Sequence, residues 1–463
     1  MQGEKKIKGS AGLTLLFSSL GFFMGISGIA LFGPAATMLR EPMDLSATQV
    51  GWLVAMPALS GAFMRVIFGA WVDTNGGRKP FLTLKLIMLF SMIALASIIY
   101  FLYPEDLTFT WYPVMLLLGA AVGFGVDTFS VGIPQNSYWF RWKQQGTVLG
   151  VFAGFGNSGA GFFTLFMPFM ISAFTLSGAY FFWAALVFII TLLYFIYAQN
   201  APYFQLHKEG KGLPKEEAKK IAQKHGQEVF PGGSLIESLK EAARSWRNWM
   251  LVGTYFFSFG GFLALTAWKP TYWQDYHGIS MSTAGIFAAI YGIITGLIRM
   301  PSGVLTDLMG GTRTNMLAFF LTALGAILLI FATEGLVAVA FTGSILMALG
   351  MGTANAAQFR LVPLYFPGSV GGASGWIGGL GGFGGTAIPP LMGYFVDLLG
   401  TPGYASGFWL FVGASAACIA ATYLLRITWK PKPGQEVAPY SGYEYVPLPE
   451  EKPAEEEKVK DTA

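Results

Sequence analysis

Apolar runs of about 20 residues recur along nearly the whole chain, and each is long enough to cross a bilayer. Only 12% of the 463 residues are charged, against about a quarter in a soluble domain. The fold class that follows is an all-α polytopic membrane protein. The basic N-terminus "MQGEKKIKGS" precedes an apolar stretch, roughly 12–39, that is too long for a signal sequence and has no clear cleavage site. No cleavable signal is therefore expected.

Breaks at Gly, Pro or charge divide the apolar sequence into twelve spans. They fall near 12–39, 47–72, 80–102, 110–139, 146–172, 177–198, 246–274, 280–308, 313–333, 335–363, 369–397 and 403–426. The long polar segment, 199–245, holds Lys208, Lys211, Lys215, Lys219, Lys220, Lys224, Lys240 and Arg244. Short loops carrying Arg78 and Lys79, Arg141 and Lys143, and Arg313 fall on the same side, while Glu105, Asp106 and Asp275 lie opposite. The positive-inside rule then predicts cytoplasmic termini and a cytoplasmic central segment. "SLIE" at 234–237 predicts a capping box opening a short polar helix there. The tail beyond 426, rich in Pro, Glu and Lys, reads as disordered.

Two segments superpose at a constant offset. In "MRVIFGAWVDTNGGRK" (64–79) and "IRMPSGVLTDLMGGTR" (298–313), Arg65 matches Arg299, Gly69 matches Gly303, and Asp73 matches Asp307. Gly76 and Gly77 match Gly310 and Gly311. Two six-span halves follow: 1–198 and 246–426, joined by the 199–245 linker, with a tail at 427–463. Parallel halves of this kind place a transport site near the midplane where they meet.

Arg65 and Arg299 each precede the matched Asp by eight residues, which puts them ~12 Å into the membrane. Snorkelling is difficult from that depth, so two buried guanidinium groups call for an anion or for acidic partners. The sequence offers few intramembrane acids; Asp127 in "GFGVDTFSVG" is the one placed deep in a span. Asp127 could pair with an arginine, titrate in proton coupling, or bind a neighbouring backbone group.

Glycines stripe two further spans. Gly150, Gly154, Asn157 and Gly161 share one face of span five, with Gly156 and Gly159 towards the other. In span eleven Gly375, Gly379, Gly382 and Thr386 form the matching stripe, with Gly381 and Gly384 opposite. Close helix packing accounts for most such glycines. It leaves Asn157 open between a structural hydrogen bond and a ligand contact.

The Gly69, Asp73, Gly76, Gly77, Arg78, Lys79 pattern resembles the loop 2–3 signature of the major facilitator superfamily, a charge–dipole latch on the cytoplasmic side. Gly69, Asp73, Gly77, Arg78 and Asp307 are the gate residues this implies; Thr312 stands where a second basic residue would match. Within that superfamily, the Gly150, Gly154, Gly156, Asn157, Gly159 and Gly375, Gly378, Gly381, Gly384, Gly385 patterns look like the paired signatures of the nitrate/nitrite porter family, the NarK-like proteins.

The resemblance covers the membrane portion and implies a major facilitator fold of twelve helices. By it, Arg65 and Arg299 clamp a flat anion, which suits the planar, paired donors of guanidinium. Phe129, Tyr255 and Phe259 match the family's aromatic walls, and the glycines of both stripes read as room around the anion. Asn157 is the candidate for direct or near-direct contact in span five, where Gly382 offers only backbone. The function implied is alternating-access nitrate/nitrite antiport in the cytoplasmic membrane by a monomer, without cofactor or nucleic-acid partner. Nitrate–proton symport through Asp127 stays open.

The alternatives are a carrier for another small anion (formate, oxalate or another carboxylate) and a membrane anion sensor. One cysteine, Cys418, excludes an intrachain disulfide and a Cys-based metal site. No nucleophile–base set or phosphate loop argues for an enzyme. The three histidines, His207, His225 and His277, fall in predicted loops.

Overall fold

The computed structural model describes residues 7–141, 145–208, 212–231, 235–333, 335–366 and 369–430. Ser234, the first residue of the expected capping box, and the tail beyond 430 lie outside them. Helices make up the described chain, and no strand occurs among the described residues. Lipid offers the backbone no hydrogen bonds, so long helices are the form these apolar runs can take.

Eight helical stretches are long and apolar enough to cross a membrane, and ten are if two bent pairs each count as one span. The bends fall between Ala47–Arg65 and Ile67–Asn75 (47°) and between Met281–Leu297 and Arg299–Met309 (42°). Span one runs through two 3-10 turns to Met43, beyond its expected end. One stretch, Val148–Tyr197, joins two helices across Thr175, whose φ of 68° and ψ of 173° break the helix where spans five and six were expected to meet. Span eleven is two shorter helices, Val370–Gly382 and Gly384–Leu399, meeting at Phe383.

The repeat carries into backbone conformation. Gly76 ends span two with φ +79°, and Gly310 ends span eight with φ +77°. A side chain at either position would be strained, which is why both copies keep glycine there. Ser46 opens span two with a capping box to Gln49.

Within each half, helices pack backbone to backbone through small residues. A Cβ on Gly25 of span one would strike the carbonyl of Gly125 in span four, and one on Gly260 of span seven would meet Gly384 of span eleven at 2.5 Å. The segment expected as a linker is helical at Pro202–His207, Lys215–Lys224 and Leu235–Ala243, so His207 closes a helix rather than sitting in a loop. Tyr203, Phe204, Leu206, Ala218 and Ala222 of the first two helices join an apolar cluster with Phe68, Phe81 and Tyr194 of the N-terminal half. The third helix is tied to span eleven, where Trp376 Nε1 donates to the Leu239 carbonyl at 2.9 Å.

Candidate functional site

Arg65 and Arg299 occupy the two bends. Each stands where its long helix changes direction, so the repeat sets the guanidinium groups at equivalent breaks. Both converge on one ring: Cζ of Arg65 lies 5.2 Å from the centroid of Phe259, and Cζ of Arg299 lies 5.7 Å from it. Arg65 also lies 5.6 Å from Phe129. It is 6% exposed and donates from Nη1 to the Gly378 carbonyl at 2.8 Å, while its Nε has no partner.

One bond from a charged donor contributes about 1.5–3 kcal/mol, and each ring contact about 0.5–2. Removing an ion from water costs several kcal/mol; around Arg65 the charge of Asp127 offsets part of that cost and the charge of Arg299 adds to it. These contacts hold Arg65 in place and leave its Nε without a partner, while Arg299 is only half-buried.

The wall residues sit on irregular turns. Tyr255 ends one helix, and Phe256–Gly260 is a π-helical turn before the helix resumes at Gly261. Single π turns inside α-helices occur often at functional sites, because the extra residue re-aims side chains. Tyr255 and Phe259 stack at 5.0 Å with ring planes 14° apart. Span eleven admits them by lacking side chains: a Cβ on Gly381 would come 2.7 Å from Tyr255, and one on Gly384 would strike the Phe256 carbonyl.

Asp127 ends a 3-10 turn, Gly123–Asp127, in the middle of span four. It is fully buried, and neither carboxylate oxygen has a hydrogen-bond partner. It feels the charge of Arg65 without forming an ion pair with it.

The expected glycine stripes divide by function. In span eleven, a Cβ on Gly378 or Gly382 would come within 3.8 or 3.6 Å of Arg65 Nη1, so these two face the arginine. Gly379 is buried in the same helix, and Gly375 faces Leu239 of the linker at 3.4 Å. The backbone contact expected from Gly382 is made by Gly378. Span five differs from the expectation of open room. Gly156 abuts Phe22, Gly159 abuts the Phe23 carbonyl, Gly161 abuts Ile293 and Ala289 of span eight, and Gly154 touches Met300. These glycines let spans one and eight approach, and only Gly150 faces open space.

Asn157 is 1% exposed and donates from Nδ2 to Ala153 of its own helix at 2.7 Å. Its Oδ1 is unpartnered. That bond uses one of the two Nδ2 hydrogens, so the amide keeps a second donor while its oxygen is a free acceptor.

The expected gate residues bond inside their own halves. Asp73 Oδ1 accepts from the Tyr138 hydroxyl at 2.6 Å. Arg78 donates from Nη2 to the Phe195 carbonyl near the C-terminal end of span six, a favourable place for a cation. Gly77 packs on Gln135, Gly69 lies near the Ser130 carbonyl, and Asp307 pairs with Arg360 at 3.3 Å.

Besides the Arg65–Gly378 bond, contacts across the halves lie at the opposite end. Arg40 of span one pairs with Asp275 of span seven at 3.1 Å, and Tyr404 donates to the same Asp275 oxygen at 2.7 Å. Asp397, at the end of span eleven, accepts from Ala47 N (2.8 Å), Thr48 N (2.9 Å) and Ser46 Oγ (3.1 Å) at the start of span two. Sequence reasoning missed this seam. An acid at the end of one span and a serine cap on another were visible, but nothing paired them.

It also passed over two buried lysines. Lys269 donates to Ser344 Oγ at 2.7 Å amid the rings of Tyr272, Tyr291 and Phe408. Lys85 lies 3.8 Å from Met88 Sδ. Their position inside apolar runs was the available signal.

A family model described as Major Facilitator Superfamily matches residues 15–341 and 251–447. The chain is 30% identical over 412 residues to the "Probable nitrate/nitrite antiporter NarK1" of Thermus thermophilus, covering 84% of this chain and 86% of that one. It is 27% identical over 394 residues to the "Probable nitrate/nitrite transporter NarK2" of Mycobacterium tuberculosis (85% and 90%). It is 25% identical over 397 residues to the "Nitrite extrusion protein" of Bacillus subtilis (86% and 90%). Among solved structures, the partially occluded inward-open xylose transporter XylE of E. coli is similar in fold, with a TM-score of 0.69 at 14% identity. That likeness covers 91% of this chain and 100% of the other.

Proposed function

The chain belongs to the major facilitator superfamily, and on that premise we propose that it carries nitrate and nitrite across the membrane by alternating access. The observation that carries the reading is the convergence of two guanidinium groups, one from each half, on the ring of Phe259. Nitrate and nitrite are flat and singly charged. Planar paired donors and stacked rings suit that shape. The relatives named as nitrate/nitrite transporters support the same substrates.

Arg65 and Arg299 clamp the anion, and Phe129, Tyr255 and Phe259 wall it. Gly378 and Gly382 supply backbone and clearance beside Arg65, and Asn157 lies at the border of the site. Residues 1–198 and 246–426 rock as two halves, with 199–245 linking them on the cytoplasmic side and 427–463 forming the tail. Counting two spans in Val148–Tyr197 and one across Phe383 makes twelve. Lys and Arg concentrated on one side favour cytoplasmic termini in the inner membrane, and a monomer suffices. The Arg40–Asp275 and Asp397 contacts latch the extracellular mouth, while Asp73, Arg78 and Asp307 brace the cytoplasmic ends.

An empty site with two cations resists closing, which favours obligatory exchange of nitrate for nitrite. A second reading, nitrate–proton symport, draws on the unpartnered, buried carboxylate of Asp127 next to Arg65. Counterflow in proteoliposomes tests both. Uptake of nitrate that requires internal nitrite and ignores an imposed pH gradient is the result expected of antiport. Uptake without internal anion, driven by an inward proton gradient, selects symport, and no uptake of either anion overturns the function.

A further inference from the structure

Asn355 in span ten is fully buried, and neither its Nδ2 nor its Oδ1 has a hydrogen-bond partner. Buried polar groups are nearly always paired, and an amide with both ends unpaired is costly to keep. Asn157, by contrast, makes one bond from Nδ2 within its own helix.

Contacts on both sides fix where Asn355 lies. Four residues on, Phe359 meets the ring of Tyr255 edge-on at 5.3 Å. Four residues back, Met351 comes within 3.1 Å of the Cβ position of Gly261 and of the Tyr291 hydroxyl. Residues four apart share one helix face, so Asn355 lies between these contacts and against the turn between Tyr255 and Gly261. Phe259, at the middle of that turn, is the ring on which both arginines converge. Next to Asn355, span ten also holds Gln358, whose Nε2 donates to Ser258 of the same turn at 3.0 Å.

We infer that Asn355 is a further substrate-contacting residue, its amide N–H group donating to the anion held between Arg65 and Arg299. The amide supplies a neutral donor where a third charge would hold the anion too tightly to release. The inference rests on the nitrate/nitrite reading.

The test is thermal stabilisation of the purified full chain by sodium nitrate, against sodium gluconate at equal ionic strength, with a titrated Kd. Asn355→Leu removes the amide at similar volume. Its melting temperature without nitrate is expected at or above that of the native protein, because an unpaired buried amide has gone. Its Kd for nitrate is expected to rise about tenfold, the loss of one hydrogen bond to a charged partner. Asn355→Ser, which retains a donor, is expected to fall between and serves if the leucine variant does not purify. A native Kd in both variants overturns the inference while leaving the arginine site intact, as does a lowered melting temperature with native Kd. A native protein that does not respond to nitrate overturns the functional reading and this inference with it.

Discussion

Nη1 of Arg65 and the carbonyl of Gly378 form a 2.8 Å hydrogen bond between span two and span eleven, joining the halves at the level of the candidate site. The bond requires a helical carbonyl to be reachable, and the glycines at 378 and 382 make it so. It leaves Arg65 Nε without a partner, so the guanidinium spans the halves while keeping capacity for an anion.

Replacing Arg65 with lysine keeps the charge and loses the planar fork. At least one hydrogen bond from a charged donor disappears, worth about 1.5–3 kcal/mol. The Kd for nitrate, measured by titration calorimetry, is expected to rise at least about tenfold. Arg299→Lys is expected to act similarly, because both groups share the Phe259 ring. A lysine variant with native affinity argues against recognition by paired donors.

Asp127→Asn removes the buried carboxylate next to Arg65 at constant size. Nitrate/nitrite exchange in proteoliposomes is expected to persist. Any nitrate accumulation driven by an inward proton gradient is expected to vanish, since the amide cannot carry a proton. Loss of exchange itself would assign Asp127 to holding Arg65 in place.

Asp397→Ala removes the acceptor of three donors at the start of span two. Loss of a helix cap costs about 1 kcal/mol, which shifts a two-state population roughly fivefold. These bonds cross the halves, and separating the two helix ends would break them, so the variant is expected to favour the open mouth. Distances between spin labels at Glu105 and Leu336, one in each half, should gain a longer population. An unchanged distribution would remove Asp397 from the latch.

Glycines in one stripe should respond differently to alanine. Gly159→Ala directs a methyl group at the Phe23 carbonyl, and backbone cannot yield as a flexible side chain does. Gly150→Ala meets nothing within 4 Å. The first is expected to lower the melting temperature and the yield of folded protein, and the second to leave both unchanged. Equal tolerance at both positions would contradict the packing role assigned to span five.

Much of this protein is readable along the chain. Apolar run length determines that it spans a membrane as helices, because lipid leaves the backbone no other partners. The constant offset between residues 64–79 and 298–313 determines two related halves, and it reappears in Gly76 and Gly310 as one backbone conformation. That offset also makes Arg65 and Arg299 equivalent before any coordinate is known.

Tertiary structure decided what those residues meet. The bends at the two arginines, the π turn before Gly261 and the 3-10 turn ending at Asp127 are not encoded in hydrophobic periodicity. They arise where packed neighbours outweigh the regular helix, and they aim the side chains. The glycines of span five show the same limit, since a bare helix face leaves room for substrate or for another backbone, and the sequence of that helix cannot say which. Asp397 and Asn355 carry no motif at all. Their meaning depends on which helix lies opposite, and chain folding alone supplies that.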